Sequence, residues 1–393
     1  MKRGWLAPLT PLYAAGLSAK NVAYDSGWLR ARRLRWPVVS VGNLSVGGSG
    51  KTPLTIRLAE LLVADGFRVD VLSRGYGRSS SAVEEVNPAG DASRFGDEPL
   101  LIARRVGVPV FVGSSRYEAG LLAEGVGSRG PDLLSSPKPM SQNRDPSTGS
   151  GQAMGHPHSL SSGDSGQPNW LSPPKPTSQK RDVGHPHGLS PEDSGLVHLL
   201  DDGFQHRRLF RDVDVVVLHR SDFGERLLPA GRLREPLTAL RRADFVVIRE
   251  EDSGLEAVVR ALGVEAPIWR MKRSINVQPE LATSTERVVA FCGIARPQEF
   301  FSSLIAIGVN LELAVAFADH HRYTSEDVER LAQKASAWHA EAFVTTEKDS
   351  VKLDAQLLGI LEANAPVRVA RLAVSLRDEA SVVRQLREKL AAT

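Results

Sequence analysis

The sequence predicts an α/β protein with a P-loop NTPase-like parallel sheet core, a second and smaller α/β domain, and a disordered insertion. Three observations predict it. Short apolar runs alternate with amphipathic stretches, which is typical of parallel strands connected by helices. A Gly-rich stretch joins one of the first apolar runs to an amphipathic helix. Between residues 127 and 194 the composition shifts to Ser, Pro, Gly and His with few apolar residues, which predicts a segment that does not fold.

These shifts divide the 393 residues into three parts. We expect an N-terminal membrane-associating segment at residues 1–35 and a P-loop domain at residues 36–240, interrupted by the 127–194 insert. Residues 241–393 are predicted to form the C-terminal α/β domain.

The most informative stretch spans residues 41–53 and reads VGNLSVGGSGKTP. It follows an apolar strand and precedes a helix predicted from Thr52 to about Asp65. In such loops the backbone N–H groups point at the α- and β-phosphates, the Lys reaches the β/γ oxygens, and the next hydroxyl ligates Mg²⁺. Lys51 and Thr52 fill the last two roles. The predicted nucleotide cradle consists of Ser45, Val46, Gly47, Gly48, Ser49, Gly50, Lys51 and Thr52.

Ser45 stands where the P-loop pattern expects Gly, and its Cβ restricts the backbone more than Gly would. The alternative is a Gly-rich turn that joins a strand to a helix and binds nothing. The flanking strand and helix, together with the Lys-Thr pair, favour the phosphate cradle.

The alternation continues beyond this helix. The predicted elements are a strand at residues 68–72, a helix at 98–106, a strand at 108–112 and a helix from residue 116. Within the insert, residues 137–145 and 174–182 are near-duplicates, but two copies do not make a solenoid. The paired histidines that follow each copy lack Cys or carboxylate partners at ligand spacing, so we predict a disordered insertion rather than a metal clip.

After the insert, an apolar strand at residues 196–200 ends in the sequence DDGFQH. A strand that delivers an Asp beside a P-loop suits Mg²⁺ binding. We therefore assign Asp201 and Asp202 to Mg²⁺ and its waters, and Gln205 to the neighbourhood of the phosphates. The alternative for Asp-Asp-Gly is a plain turn after a strand.

Further apolar runs predict the rest of the sheet. The expected strands cover residues 213–218, 245–248, 288–291, 311–317, 342–344 and 367–374, with helical segments between the later ones. This alternation predicts the second α/β domain from about residue 240.

Composition excludes some functions. The 49 Lys and Arg residues and 46 Asp and Glu residues give a net charge of +3 and are interspersed, so nucleic-acid binding gains no support. A single cysteine, Cys292, excludes an internal disulfide and indicates a reducing compartment.

The N-terminal apolar run resembles a secretory signal but is short and interrupted by prolines, and an ATP site would have no supply outside the cytoplasm. A basic flank with two tryptophans follows, which suits a segment lying on an anionic membrane surface. The alternative is an ordinary helix packed on the domain with a solvated basic face.

Taken together, several motifs resemble one family, the tetraacyldisaccharide 4'-kinases that phosphorylate the lipid A precursor. The resemblance covers nearly the whole chain apart from the insert, and that family tolerates Ser at the place of Ser45. The matching stretches lie at residues 41–53, 73–77, 96–99, 201–206, 228–237, 291–294, 319–320 and 345–349.

The resemblance implies ATP and Mg²⁺, a tetraacyldisaccharide 1-phosphate as acceptor, and γ-phosphoryl transfer to the sugar 4'-hydroxyl. It places the protein on the cytoplasmic face of the inner membrane, with no nucleic acid and no protein partner predicted. It also implies that residues 36–240 form a P-loop kinase domain.

The same resemblance implies roles for particular side chains. Asp97 is expected to be the base for the acceptor hydroxyl and His320 to hydrogen-bond it, with Lys51 as the third catalytic residue. The alternative for Asp97 is a helix N-cap. Arg74, Tyr76 and Arg116 are the expected substrate-binding residues, since α/β sheets gather ligands at loops that follow strands. Arg232 and Arg234 are weaker candidates for contact with lipid phosphate or the membrane.

Two other functions remain open at this point. A P-loop NTPase switch would need a guanine-reading Asn-Lys-x-Asp segment, and the nearest match, residues 351–354, lacks the Asn. A membrane-surface scaffold could bind ATP for structure alone. Residues 222–224 spell Asp-Phe-Gly, which we treat as coincidence because no protein-kinase catalytic loop precedes them.

Overall fold

A computed structural model describes residues 4–48, 50–127, 195–281 and 285–392, and every structural statement below applies to those residues. Twelve strands form one sheet. They are β1 (Val38–Asn43), β2 (Arg68–Ser73), β3 (Glu84–Glu85), β4 (Val110–Val112), β5 (Leu196–Asp201), β6 (Val213–Val217), β7 (Phe245–Arg249), β8 (Ile268–Gln278), β9 (Arg287–Cys292), β10 (Asn310–Ala316), β11 (Ala342–Thr346) and β12 (Val367–Leu376).

Eleven α-helices cover and connect these strands in the described residues. They are α1 (Thr10–Asp25), α2 (Lys51–Ala64), α3 (Ala92–Phe95), α4 (Asp97–Val106), α5 (Arg116–Gly127), α6 (Leu255–Ala261), α7 (Pro297–Ala306), α8 (Ser325–Ala337), α9 (Glu347–Ser350), α10 (Ala355–Glu362) and α11 (Glu379–Ala391). Short 3₁₀ helices lie at Gly4–Leu9, Arg220–Asp222, Leu237–Arg242 and Glu250–Asp252.

The strand order is β10-β9-β11-β12-β8-β7-β6-β1-β5-β2-β4-β3. Most neighbours are parallel, as predicted, and the α/β class with a P-loop core is confirmed. The sheet is nevertheless mixed, because β8 runs antiparallel to β12 and β3 runs antiparallel to β4.

The sequence analysis did not predict β8. Its burial changes from residue to residue and its middle carries Lys272 and Arg273, so it lacks the continuous apolar run that marks a buried parallel strand. Pairing with β12, from Met271 opposite Leu376 to Gln278 opposite Val369, makes it a strand.

The predicted boundary near residue 240 falls between β6 and β7, which are neighbours in the sheet. Strands from residues 36–240 therefore form one half of the strand order and strands from 241–393 form the other half. The division into two domains stays a prediction. The insert predicted at 127–194 lies outside the described residues, except for its first residue, Gly127, which ends α5. The description resumes at residue 195.

Helix α2 anchors the P-loop to the core. Leu54, Leu58 and Leu62 recur at helical spacing and are fully buried in the same cluster as Leu100 and Ile102 of α4. Burying each such side chain contributes about 1.5–3 kcal/mol. This packing fixes the start of α2, and with it Lys51, at the end of β1.

The N-terminal helix α1 differs from the others because none of its residues is buried. Tyr13 Oη donates to the Arg234 carbonyl at 2.8 Å and Lys20 Nζ donates to the Gln205 carbonyl at 3.4 Å. Leu12 and Val22 remain largely exposed. Among the described helices, none has the length and apolarity that a bilayer crossing requires.

Candidate active site

A cleft of about 700 Å³ opens where β1, β2 and β5 end. Parallel strands present their carboxyl ends at one edge of a sheet, where α/β proteins bind ligands. Residues from both halves of the strand order line the cleft. From the predicted set it contains Val46, Gly47, Gly48, Gly50, Lys51, Thr52, Arg74, Tyr76, Arg116, Asp201, Asp202, Gln205 and His320.

The loop between β1 and α2 has the backbone shape of a phosphate cradle. Gly47 and Gly50 have φ values of 109° and 92°, which side chains with a Cβ rarely adopt. Ser45 is buried and needs no such conformation, so Ser is compatible with the place where Gly was expected. Ser49 lies outside the described residues.

Hydrogen bonds restrain this loop. Lys51 Nζ donates to Asn43 Oδ1 at 3.0 Å. The Arg232 side chain donates to the Val46 carbonyl through Nε and Nη2 at 3.1 and 2.8 Å, and the Val46 amide donates to the Arg232 carbonyl. Arg232, a weak candidate for lipid contact, therefore supports the P-loop backbone.

Asp201 and Asp202 lie side by side at the end of β5 in different environments. Asp201 is buried and accepts from Thr55 Oγ1 at 3.3 Å. Burial, with Glu98 and Asp202 nearby, raises the pKa of Asp201 to about 7. Asp202 has a φ of 53° and pairs with Arg234 Nη1 at 2.8 Å and Lys51 Nζ at 3.5 Å. Burial opposes ionisation of Asp202, but these two cations lower its pKa.

Gln205 connects the end of β1 with Arg234, the partner of Asp202. Its Nε2 donates to the Asn43 carbonyl at 2.8 Å, and its Oε1 accepts from Arg234 Nη1 at 3.3 Å. Within the described residues, no cluster of three or more His, Cys, Asp or Glu is arranged to hold a metal by itself. Two carboxylates that need phosphate oxygens to complete the set are typical of Mg²⁺ in nucleotide sites.

Asp97 and His320 meet although 223 positions separate them. His320 Nδ1 lies 2.9 Å from Asp97 Oδ2, and the His320 ring packs against Tyr76 with centroids 5.1 Å apart. The hydrogen bond to Asp97 raises the pKa of His320. Burial raises the pKa of Asp97, but His320 and Lys348 outweigh burial and lower it.

The N-cap alternative for Asp97 is wrong. Gly96 is the N-cap of α4, with a φ of 92°, and Asp97 is the first residue of the helix. A Cβ on Gly96 would lie 2.9 Å from Gly75 Cα, so the two glycine turns that carry Asp97 and Arg74 pack backbone against backbone. Asp97 Oδ1 accepts from the Glu98 backbone N–H at 2.9 Å, and Asp97 Oδ2 faces His320 Nδ1.

The predicted substrate-binding residues line the same cleft. Arg116 is buried, and its Nε has no hydrogen-bond partner among the described residues. Burial and the nearby Arg74 guanidinium lower the pKa of Arg116 to about 10. Two close guanidinium groups, one of them desolvated, favour an anionic ligand between them. Tyr76 is 63% exposed and offers its ring to the open cleft.

The sequence analysis missed two groups in the cleft. Lys348, in the first turn of α9, contacts the Asp97 and His320 pair. On the other side, Arg249, Arg273 and Arg296 converge on Glu299 at 2.9, 3.1 and 3.0 Å. The motif at residues 345–349 was a signal for Lys348. We find no local signal for the arginine cluster, because its members come from three separate segments, β7, β8 and the start of α7.

Comparison with known proteins gives a consistent result. The family model described as tetraacyldisaccharide-1-P 4'-kinase matches residues 3–129 and 189–391. Two relatives, each named tetraacyldisaccharide 4'-kinase, come from Koribacter versatilis and Geobacter metallireducens. They are 38% and 36% identical to this chain, over 94% and 95% of it and 94% of each relative.

A solved structure is also similar. It is described as the "apo" form of LpxK from Aquifex aeolicus in complex with ATP. The TM-score is 0.66 at 28% identity, with 99% of this chain and 100% of that chain covered.

Proposed function

The chain belongs to the tetraacyldisaccharide-1-phosphate 4'-kinase family, and with this membership as premise we propose how its residues carry out the reaction. The enzyme transfers the γ-phosphate of ATP to the 4'-hydroxyl of a tetraacyldisaccharide 1-phosphate in lipid A biosynthesis. The product is the bisphosphorylated lipid. The observation that carries the assignment of residues is one cleft that holds both the P-loop and the Asp97 and His320 pair.

The family membership argues against the two other functions. A GTPase-type switch or an ATP-binding scaffold needs no carboxylate and histidine pair facing the end of the nucleotide. Phosphoryl transfer to a hydroxyl uses a residue that orients the hydroxyl and accepts its proton. A carboxylate and histidine pair can do both, and positioning of this kind supplies much of the catalysis.

We assign the triphosphate to the P-loop, with Lys51 at the β- and γ-phosphate oxygens. Lys51 already lies near anionic groups, and its contact with Asp202 would give way to phosphate oxygens. Thr52, Asp201 and Asp202 are the residues that would hold Mg²⁺, and their hard oxygen donors fit that ion. When bound, Mg²⁺ neutralises charge that develops on the transferred group.

His320 is the group that we propose as the proton acceptor. Its ring lines the cleft, whereas Asp97 has a side chain only 6% exposed and lies behind it. The 4'-hydroxyl gives its proton to His320 Nε2 while its oxygen bonds to the γ-phosphorus and the bond to the ADP oxygen breaks. Asp97 then stabilises the imidazolium. This exchanges the roles expected for the two residues, because Asp97 acts through His320 rather than on the sugar.

The acceptor's sugar and phosphate groups are assigned to Arg74, Arg116 and Tyr76. The guanidinium of Arg116 is desolvated and its Nε has no partner among the described residues, which favours a phosphate that Arg74 and Arg116 can hold by paired hydrogen bonds. The exposed ring of Tyr76, tilted against the His320 ring, suits the sugar face.

We further propose that the N-terminal segment rests on an anionic membrane surface on the cytoplasmic side. Leu12, Val22 and Trp28 are 73%, 63% and 87% exposed, which gives the segment apolar groups to insert. Its hydrogen bonds to Gln205 and Arg234 attach it beside the cleft, so a lipid head group could pass from the surface into the site.

Transfer of radiolabelled γ-phosphate to the purified lipid acceptor tests the assignment. We expect wild-type protein to label the acceptor and His320→Gln protein to bind ATP but label it at least about a hundredfold more slowly. Full turnover by folded His320→Gln protein would refute the role of His320. Flotation with anionic and neutral vesicles, comparing wild type with Leu12→Asp, tests the membrane surface.

A further inference from the structure

Lys348 brings a cation from α9 onto the catalytic pair. Its Nζ lies 3.2 Å from His320 Nε2, 3.1 Å from Glu98 Oε1, 3.8 Å from Asp97 Oδ2 and 3.9 Å from Asp319 Oδ1. Its side chain is 20% exposed. One ammonium therefore contacts three carboxylates and the imidazole at the junction of α4, α9 and the loop that carries His320.

The chemistry of the ammonium group restricts the state of the imidazole. A protonated lysine has three donors and no acceptor, so the nitrogen it faces must offer a lone pair. His320 Nε2 is that nitrogen. The single proton of the neutral ring is then on Nδ1, where it is donated to Asp97 Oδ2 at 2.9 Å. The two contacts together select one tautomer of His320.

We propose that Lys348 is a positioning residue for the kinase reaction, which keeps His320 neutral with its Nε2 lone pair facing the cleft. This inference rests on the proposed role of His320 as proton acceptor. The acceptor hydroxyl takes the place of the ammonium at Nε2, and Lys348 stays attached through Glu98 and Asp319.

The charges around His320 make the effect measurable. Asp97 from α4 and Asp319 from its own loop favour the imidazolium, whereas burial and Lys348 from α9 oppose it; Glu98 from α4 pairs with Lys348. Tyr76, from the loop after β2, contributes a ring contact. The Asp97 hydrogen bond raises the pKa of His320, and Lys348 limits that rise. A base that must be neutral at working pH needs this limit.

The test replaces Lys348 by Met, which keeps the length of the side chain and removes the charge. We expect the acid limb of kcat/KM against pH to move up by about one pH unit, because a neighbouring cation no longer disfavours the imidazolium. The loss should appear in kcat more than in the KM for ATP. Nitrogen-15 NMR of labelled protein should show His320 as the neutral Nδ1–H tautomer in wild type, and the ring should stay protonated to a higher pH in Lys348→Met.

Lys348→Arg restores a donor-only cation and should recover most of the wild-type pH profile and of the wild-type His320 titration. Lys334→Met, an exposed lysine on α8 outside the cleft, is the matched control and should change neither. An unshifted acid limb together with an unshifted His320 titration in folded Lys348→Met protein overturns the proposal. If His320→Gln protein instead keeps the acid limb of the wild-type pH profile, His320 is not the base. That result would contradict the role proposed for His320 and not the inference about Lys348.

Discussion

Replacing Asp97 by Asn separates an action through His320 from a direct action on the acceptor. The Asp97 Oδ2 atom lies 2.9 Å from His320 Nδ1, and the carboxylate is buried. A hydrogen bond to a charged group contributes about 1.5–3 kcal/mol, and one pKa unit corresponds to about 1.4 kcal/mol. Asn keeps the shape and loses the charge, so we expect the pKa of His320 to fall by about one to two units.

The assay is kcat/KM for the lipid acceptor as a function of pH. Because the base must be neutral, the acid limb should move to lower pH by the same one to two units, by the estimate above. The plateau should fall by about ten- to a hundredfold, since a weaker base accepts the proton less readily. Adding Asp97→Asn to His320→Gln should cost little more, because both residues serve one proton transfer.

An acid limb that does not move in Asp97→Asn would refute this reasoning. So would a double variant whose loss equals the product of the two single losses, because Asp97 would then act independently of His320. Glu388→Gln, an exposed carboxylate on α11, controls for the general loss of a negative charge.

Three further outcomes follow from the same structure. Lys51→Met should lower kcat by at least about a hundredfold, as measured by lipid phosphorylation, because the variant loses the P-loop cation assigned to the β- and γ-phosphate oxygens, where charge develops. Asp202→Ala should raise the Mg²⁺ concentration for half-maximal activity by about tenfold or more. Burial lowers the pKa of His198, but Asp70 at 2.7 Å and Glu124 raise it to about 9. The stabilisation from His198, roughly 3 kcal/mol, should thus be complete below about pH 6.5 and lost as pH rises through about 9, as measured by urea unfolding.

Each of these outcomes has a clear contrary result. Undiminished turnover by Lys51→Met protein would remove the P-loop assignment. An unchanged Mg²⁺ dependence in Asp202→Ala would remove that carboxylate from the metal set. A wild-type unfolding midpoint that is constant between pH 6.5 and 9.5, or a His198→Gln variant with the same pH dependence as wild type, would contradict the buried ion pair.

The N-terminal side of the sheet and its phosphate loop could be predicted from sequence because their signals are local. A glycine pattern between an apolar run and an amphipathic stretch predicts a phosphate-binding loop without reference to the rest of the fold. The same holds for Asp201, which simply ends an apolar strand. Strand β8 could not be predicted this way, since only its pairing with β12 accounts for its alternating burial.

The catalytic pair was anticipated by resemblance, but its arrangement was not. Nothing in the sequence says that Asp97 lies behind His320, because that order depends on the approach of α4 to the loop after β10. Lys348 was visible as part of a motif and had no assigned role, since its partner Glu98 is 250 positions away.

The sequence by itself determined the class of fold and the phosphate loop, because these follow from local patterns, and a resemblance of motifs indicated the catalytic pair. Only the tertiary structure showed that Asp97, His320 and Lys348 come together, and the proposed order of proton transfer depends on those contacts. Those outcomes depend on distances of about 3 Å between elements that are remote in sequence, and hydrogen-bond and Coulomb energies at that range are set by packing.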